Sequence, residues 1–318
     1  MIRAGLTVLS PRGKRARLSV FIWHRVAPTP DPMFPGELHA ERFARTLGWI
    51  KRWFNVLPLD EAVRRLSDGA LPARAAAITF DDGYADNLTV AAPILHAAGL
   101  HATFFVATGY LDGGRMWNDG LIEAVRRSPL DVLDTPQWGR FSLADWRGRE
   151  AAALRLIDQI KYLEPAEREQ AVVDVARAAH TTLPTDLMMS SAQVVQLHRL
   201  GFSIGAHTVS HPILAKISLP RAREEIGGGR DALERLIGAR VPLFAYPNGK
   251  PGRDYRPEHV ALVRELGFDA AVSTAWGASA SGDDIFQLRR FTPWDAGRLR
   301  FGIRMAQNLA QPLREALV

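Results

Sequence analysis

The sequence predicts an α/β protein whose strands close, or nearly close, into a parallel barrel. Seven short, continuously apolar runs rich in Val, Ile and Phe recur along the chain, as strands buried on both faces require. Amphipathic stretches lie between them, the alternation that yields a parallel sheet. A length of 318 residues leaves room for a ring of strands inside a layer of helices.

The candidate strands are 18–23, 54–59, 75–80, 102–107, 202–206, 243–246 and 268–273. The helical patterns between them span 40–53, 86–98, 191–200, 220–237 and 257–266. Ser190 followed by Gln193 fits a capping box opening one of these helices. Gly99, Gly201, Gly238 and Gly267 stand where helix C-caps belong. Residues 111–190 separate the fourth and fifth candidate strands by far more than one helix requires. That segment carries its own helical patterns at 121–127, 149–162 and 166–179, and it reads as a helical insertion beside the active face of a single domain spanning 1–318. Residues 296–318 read as a C-terminal helical tail.

Composition narrows the chemistry. Hydrophobic residues make up 47% and charged residues 23%, the profile of a globular protein with a sizeable core. The chain has no cysteine, which excludes thiolate catalysis, zinc–cysteine sites and iron–sulfur clusters. The formal net charge is +6, but arginines alternate with glutamates on helical stretches such as 221–235, as on solvated faces, and no nucleic-acid-binding motif is present. There is no GxGxxG after the first strand, so a dinucleotide fold is disfavoured. No run reaches the ~18 apolar residues of a membrane span. The apolar patch at 18–23 runs straight into His24 and Arg25 and reads as a strand rather than a signal peptide. The expected location is therefore cytoplasmic, or peripheral to a membrane.

Two segments carry chemistry, and each follows a strand. In ITFDDGYADN (78–87), Asp81 and Asp82 adjoin the strand end and Gly83 permits a sharp exit. One carboxylate can ligate a metal while the other stays free as a base. In GAHTVSHP (205–212), His207 and His211 stand four apart, so that one helical turn would bring both imidazoles to one side. Two imidazoles and a carboxylate suit zinc or a similar divalent ion. Both segments lie at strand C-termini, where barrel active sites are built.

These residues resemble the polysaccharide deacetylases of carbohydrate esterase family 4, the NodB-homology group. The resemblance rests on ITFDDGYADN, PILHAAGLHATFFVATG, GFSIGAHTVSHP and FAYPNG, and covers roughly 18–110 and 190–292. It implies a distorted seven-stranded (β/α) barrel that removes N-acetyl, or O-acetyl, groups from a polysaccharide, oligosaccharide or lipid-linked sugar. It implies Asp81 as catalytic base, with Asp82, His207 and His211 holding one divalent ion, zinc first, with cobalt, nickel or manganese accepted by the same donors. It places a backbone oxyanion donor after Asp81 or around Pro247–Gly249. Substrate contact is expected from Tyr246, Pro247 and Asn248, and from Trp117 in a WND-type segment.

Two departures stand out. LRRF (288–291) has no histidine where many members carry LxxH, and a subgroup with a histidine after its first strand points to His24, in IWHRV, as general acid. Ala245 stands about where the third motif usually has an arginine that pairs with the base, and Arg290 is expected to take over that pairing. His39, His96, His101, His180, His198 and His259 read as structural or surface residues. Two other readings stay open: a non-catalytic carbohydrate-binding relative, and an amidohydrolase of a non-sugar, cyclic amide.

Overall fold

The computed structural model describes residues 2–310 and 318. Seven parallel strands form a closed ring: β1 (Arg17–Trp23), β2 (Ala75–Phe80), β3 (Thr103–Val106), β4 (Ser203–Ala206), β5 (Leu243–Ala245), β6 (Ala270–Trp276) and β7 (Leu288–Phe291). They pair in chain order, and β7 returns to β1, with Val20 opposite Arg290. The seven-stranded barrel expected from the sequence is therefore present, with one change of membership. The run at 54–59 contributes only Asn55–Val56, an edge pair on β2, because Pro58 ends it and helix Leu59–Ser67 begins. Its place in the ring is taken by the arginine-bearing segment Leu288–Phe291.

Alternation along the strands sorts the core into two layers. Leu18, Val20, Ala75, Ala77, Phe105, Leu243, Ala245, Val272 and Leu288 form one cluster inside the ring. Leu59, Ala62, Val63 and Leu66 of the helix after Pro58 pack onto this same cluster. Phe21, Trp23, Ile78, Phe80, Phe104, Ile204 and Phe244 belong to the outer cluster, under the helices. The alanines of β2 keep the interior narrow. At Gly205 a Cβ would lie 2.3 Å from the Phe105 ring, so only glycine leaves that ring room.

The outer helices match the sequence closely. Ala40–Trp53, Ser191–Arg199, Leu219–Ile237 and Pro257–Glu265 lie where apolar periodicity places them. Ser190 and Gln193 form the expected capping box, and Gly99 and Gly238 are left-handed C-caps. The stretch 86–98 splits into a π-turn, Asn87–Ala91, and a helix, Ala92–Ala98. Pro93 cannot donate a backbone hydrogen bond and crowds the carbonyl of Thr89, which disfavours a regular turn there.

The long segment after β3 holds helices Trp117–Arg127, Trp146–Ile160 and Pro165–Ala178 and a hairpin pairing Val132–Thr135 with Gly139–Ser142. Leu121, Val125, Leu133, Leu156 and Val172 give it a hydrophobic cluster of its own, joined by Met33 from the loop after β1. Counted along the chain with Asn55–Val56 included, it follows the fourth strand; within the ring it follows the third. Of the expected C-terminal tail, Arg298–Ala310 is a helix packed against Ile2–Leu9, and residues 311–317 lie outside the described residues. Among the described residues no helix is long and apolar enough to cross a membrane.

Candidate active site

The register of the ring decides which residues meet. Trp23 stands opposite Phe80, so the next residues, His24 and Asp81, emerge at one level, and Asp81 N donates to Trp23 O at 2.9 Å. Val106 stands opposite Ala206, and His207 N donates to Val106 O at 3.2 Å. Asp81 continues the inward phase of Ala75 and Ala77, and His207 that of Gly205, so both side chains face the barrel mouth. Asp82 would point outward by alternation. It turns back because its φ is +78°, followed by Gly83 at +89°.

Asp82, His207 and His211 converge. Asp82 Oδ1 lies 3.4 Å from His207 Nε2 and 3.5 Å from His211 Nε2, and the three donor atoms fall within 4.8 Å of one another. Donors ~2.1 Å from a tetrahedral ion stand roughly 3.4 Å apart, so the carboxylate–imidazole spacings fit one ion. Asp82 Oδ1 is buried and has no hydrogen-bond partner within the protein, a costly state that a cation relieves. His207 Nδ1 donates to Ala245 O at 2.7 Å, which directs Nε2 toward Asp82 and toward the position that an ion would take.

Asp81 sits beside this triad, with Oδ2 4.0 Å from His207 Nε2. Arg290 grips it bidentately, at 2.7 and 2.8 Å, while the same guanidinium donates to Ser273 O at 2.7 Å. Arg290 is fully buried and inward-facing in β7. Burial pushes the Asp81 carboxyl up, but Arg290 and then His207 outweigh it and hold Asp81 below its ordinary range. Asp82 is likewise held low against burial, by His207, His24 and His211. The two imidazoles differ. Burial lowers His211 to about 4, whereas at His207 the two aspartates outweigh burial and raise it.

The loop 207–211 is braced from two sides. Gly109 N donates to Val209 O at 2.8 Å and Tyr110 Oη to Ser210 O at 2.9 Å. On the other side the buried Glu225 accepts from Val209 N, Ser210 N and Ser210 Oγ at 3.0, 2.8 and 2.8 Å. A Cβ at Gly229 would lie 2.7 Å from Thr208 O, so glycine in mid-helix lets the loop seat against that helix. Thr208 and His211 take φ of +66° and +54°, unusual for side-chain-bearing residues and strongly so for a β-branched one. Glu225→Ala is expected to weaken metal affinity by ~10–100-fold, as loss of a supporting bond does, with a lower melting temperature. Calorimetric titration with Zn²⁺ checks this, and wild-type affinity in the variant would remove Glu225 from the site.

His24 is exposed in a cleft of about 740 Å³ that Asp82 also lines. Asn87 Nδ2 holds the His24 carbonyl at 2.8 Å, Asp86 accepts from Val26 N at 3.2 Å, and Arg25 bonds Asp86 at 2.8 Å. The last residues of ITFDDGYADN thus anchor the segment carrying His24. Tyr84 Oη donates to Asp119 at 2.9 Å, and Arg25 covers the Tyr84 ring at 4.7 Å. Burial, with Asp82 and Glu123 adding, pushes Asp119 up to about 6 against Arg25 and Tyr84.

Four expected contact residues lie elsewhere. Tyr246 is in outward phase beside Ala245; it is fully buried, stacks on Tyr255 at 3.9 Å and donates to Phe286 O at 3.0 Å. Pro247 is buried, and Asn248, at φ +57°, forms an exposed turn held by Thr274 Oγ1 at 2.7 Å. Trp117 packs into the cluster of the insertion under Arg168, at 4.8 Å, while its neighbours Asn118 and Asp119 line the cleft. None of the four lines the cleft. Local pattern gave no sign of Glu225, Asp86 or Asn87 as supports, although the glycine run 227–229 inside a helix was a visible irregularity.

The polysaccharide deacetylase family profile matches residues 68–134 and 166–271, more than half of the chain. The chain belongs to the polysaccharide deacetylase family. It is a hydrolase of carbon–nitrogen bonds other than peptide bonds. Asp81, Asp82, His207 and His211 fall inside the matched residues, while His24 and Arg290 fall outside them. YxkH of Bacillus subtilis (strain 168), a polysaccharide deacetylase by name, is 19% identical over 279 residues, 87% of this chain and 71% of that protein. In fold, IcaB from Ammonifex degensii is similar with a TM-score of 0.60 at 17% identity, over 93% of this chain and 98% of that one. The Streptococcus pyogenes deacetylase PplD, in complex with acetate, is similar with a TM-score of 0.58 at 18% identity, over 87% and 92%.

Proposed function

We propose that this deacetylase is metal-dependent and hydrolyses N-acetyl groups on a polymeric or lipid-linked saccharide of an exopolysaccharide or cell-envelope pathway. The convergence of two imidazoles on an unpartnered buried carboxylate oxygen carries this reading. Asp82, His207 and His211 would hold the ion. When bound, it would supply Lewis-acid chemistry, lowering the pKa of water and polarising the acyl carbonyl. Asp81, kept ionised by Arg290, accepts the proton of the attacking water. His24, exposed in the cleft that Asp82 also lines, donates a proton to the departing amine. The backbone N–H just after Asp81, at the strand end, would stabilise the developing oxyanion; the Pro247–Gly249 turn, which lies outside the cleft, is not placed to do so. The presence of all four central residues in one constellation favours an enzyme over a non-catalytic relative.

Mass-spectrometric loss of acetyl groups across a panel of N-acetylated glycans tests this function. Turnover of cyclic amides with no glycan deacetylated would replace it. His24→Ala is expected to slow amide substrates, whose amine leaves poorly, more than activated acetate esters. Equal losses on both would argue against proton donation by His24.

A further inference from the structure

Besides the buried Trp23, the cleft shared by Asp82 and His24 is lined by two exposed tryptophans without a part in the chemistry. Trp146 opens the helix Trp146–Ile160 of the insertion, and Trp294 follows the end of β7. Both line the cleft, and they are 44% and 65% exposed. An indole is a large, rigid apolar surface, and its exposure within a concave site marks a place for a ligand with an apolar face. The backbone beneath Trp294 is fixed. Arg42 donates to Gly36 O at 2.9 Å and also to Trp294 O, tying the loop after β1 to this segment. The adjacent Asp295 pairs with Arg304 at 3.6 Å. Asp145 caps the helix that Trp146 begins, accepting from Gly148 N at 2.7 Å. Each ring therefore stands on ordered backbone while much of it remains open.

The charges of the cleft restrict the ligand further. Arg25 is paired with Asp86, Arg126 with Asp31 and Glu123, and Arg42 is occupied by two carbonyls. Every arginine lining the cleft already has a protein acceptor, so the site is not built to neutralise a polyanion. A pyranose ring matches what remains, with a face of C–H groups to lay on indole and hydroxyls for the polar rim.

We propose that Trp146 and Trp294 are stacking platforms for sugar rings flanking the one that is deacetylated, so that the site takes a neutral chain of several sugars in preference to a single one. This rests on the deacetylase reading above. The test measures kcat/KM for acetate release, and separately calorimetric binding to the Asp81→Asn protein, using β-1,4-linked N-acetylglucosamine oligomers of one to six sugars. Both quantities are expected to rise about 10-fold or more with chain length, as burial of a C–H face on each indole predicts. Trp146→Ala and Trp294→Ala should each remove part of that rise, with Trp→Phe restoring part of it. Absence of length dependence in the parent proteins, or the same length dependence in both alanine variants, overturns the proposal, as does tighter binding of an oligogalacturonate. Should no oligomer be deacetylated, length-dependent binding lost in the tryptophan variants still supports the platforms, and failure of the catalytic reading is told apart from failure of this one.

Discussion

Asp81→Asn is expected to keep its metal and lose at least ~100-fold in turnover, the scale of a positioned proton-transfer group. The residue has no place among the converging donors, since Asp82 Oδ1 already meets both imidazoles, so metal content should stay stoichiometric. Substantial residual turnover would reject Asp81 as base. Arg290 adds a second, separable expectation. Its bidentate grip keeps a fully buried carboxylate ionised. In Arg290→Ala burial acts unopposed by that cation, so the Asp81 pKa rises and the base becomes protonated at higher pH. The acid limb of the kcat/KM profile should therefore move to higher pH, and less far in Arg290→Lys, which keeps charge without the fork. Removing one partner of a buried pair costs ~3–5 kcal/mol, so melting curves must accompany both profiles. An unmoved limb in folded Arg290→Lys and Arg290→Ala would dissociate Arg290 from the base.

The sequence made the ring and the candidate metal donors readable because both are local signals. Continuous apolar runs gave six of the seven ring strands, and DDG and HTVSH each place their donors within a few residues of a strand end. What it hid is non-local or inverted in polarity. LRRF reads as polar, yet it is a buried strand because Arg290 finds its counter-charge inside the barrel. Tyr246 shows the opposite error. An aromatic next to a motif suggests a sugar platform, but period-2 alternation sends it outward against Tyr255 once Ala245 is fixed as inward. Glu225 looks like any other glutamate on a charged helix. Its role exists only because the loop 207–211 packs onto that helix. The exposed tryptophans that line the cleft, Trp146 and Trp294, come from the insertion and from the segment after the last strand, whose placement depends on tertiary packing.

His207→Ala is expected to abolish tight metal binding, with a loss exceeding the ~10–100-fold typical of removing a supporting hydrogen bond to a ligand. Of the two imidazoles it is the more constrained, fully buried and oriented through Nδ1 by Ala245 O. The same residue should control how binding depends on pH. His207 is raised above its ordinary value by Asp82 and Asp81 despite burial, so just below that raised value a proton and a cation compete for its Nε2. His211, lowered to about 4, is already neutral there and adds no competition. Metal affinity should therefore fall as pH drops through the raised His207 value, with a proton released on binding wherever His207 is protonated. Calorimetric titration of Zn²⁺ in buffers of different ionisation enthalpy measures that proton directly. In His211→Ala, which also loses a donor, weakened binding should still release it, because the proton belongs to His207. Stoichiometric tight metal in His207→Ala, or pH-independent affinity in the parent protein, would mean that the ion is held by other groups.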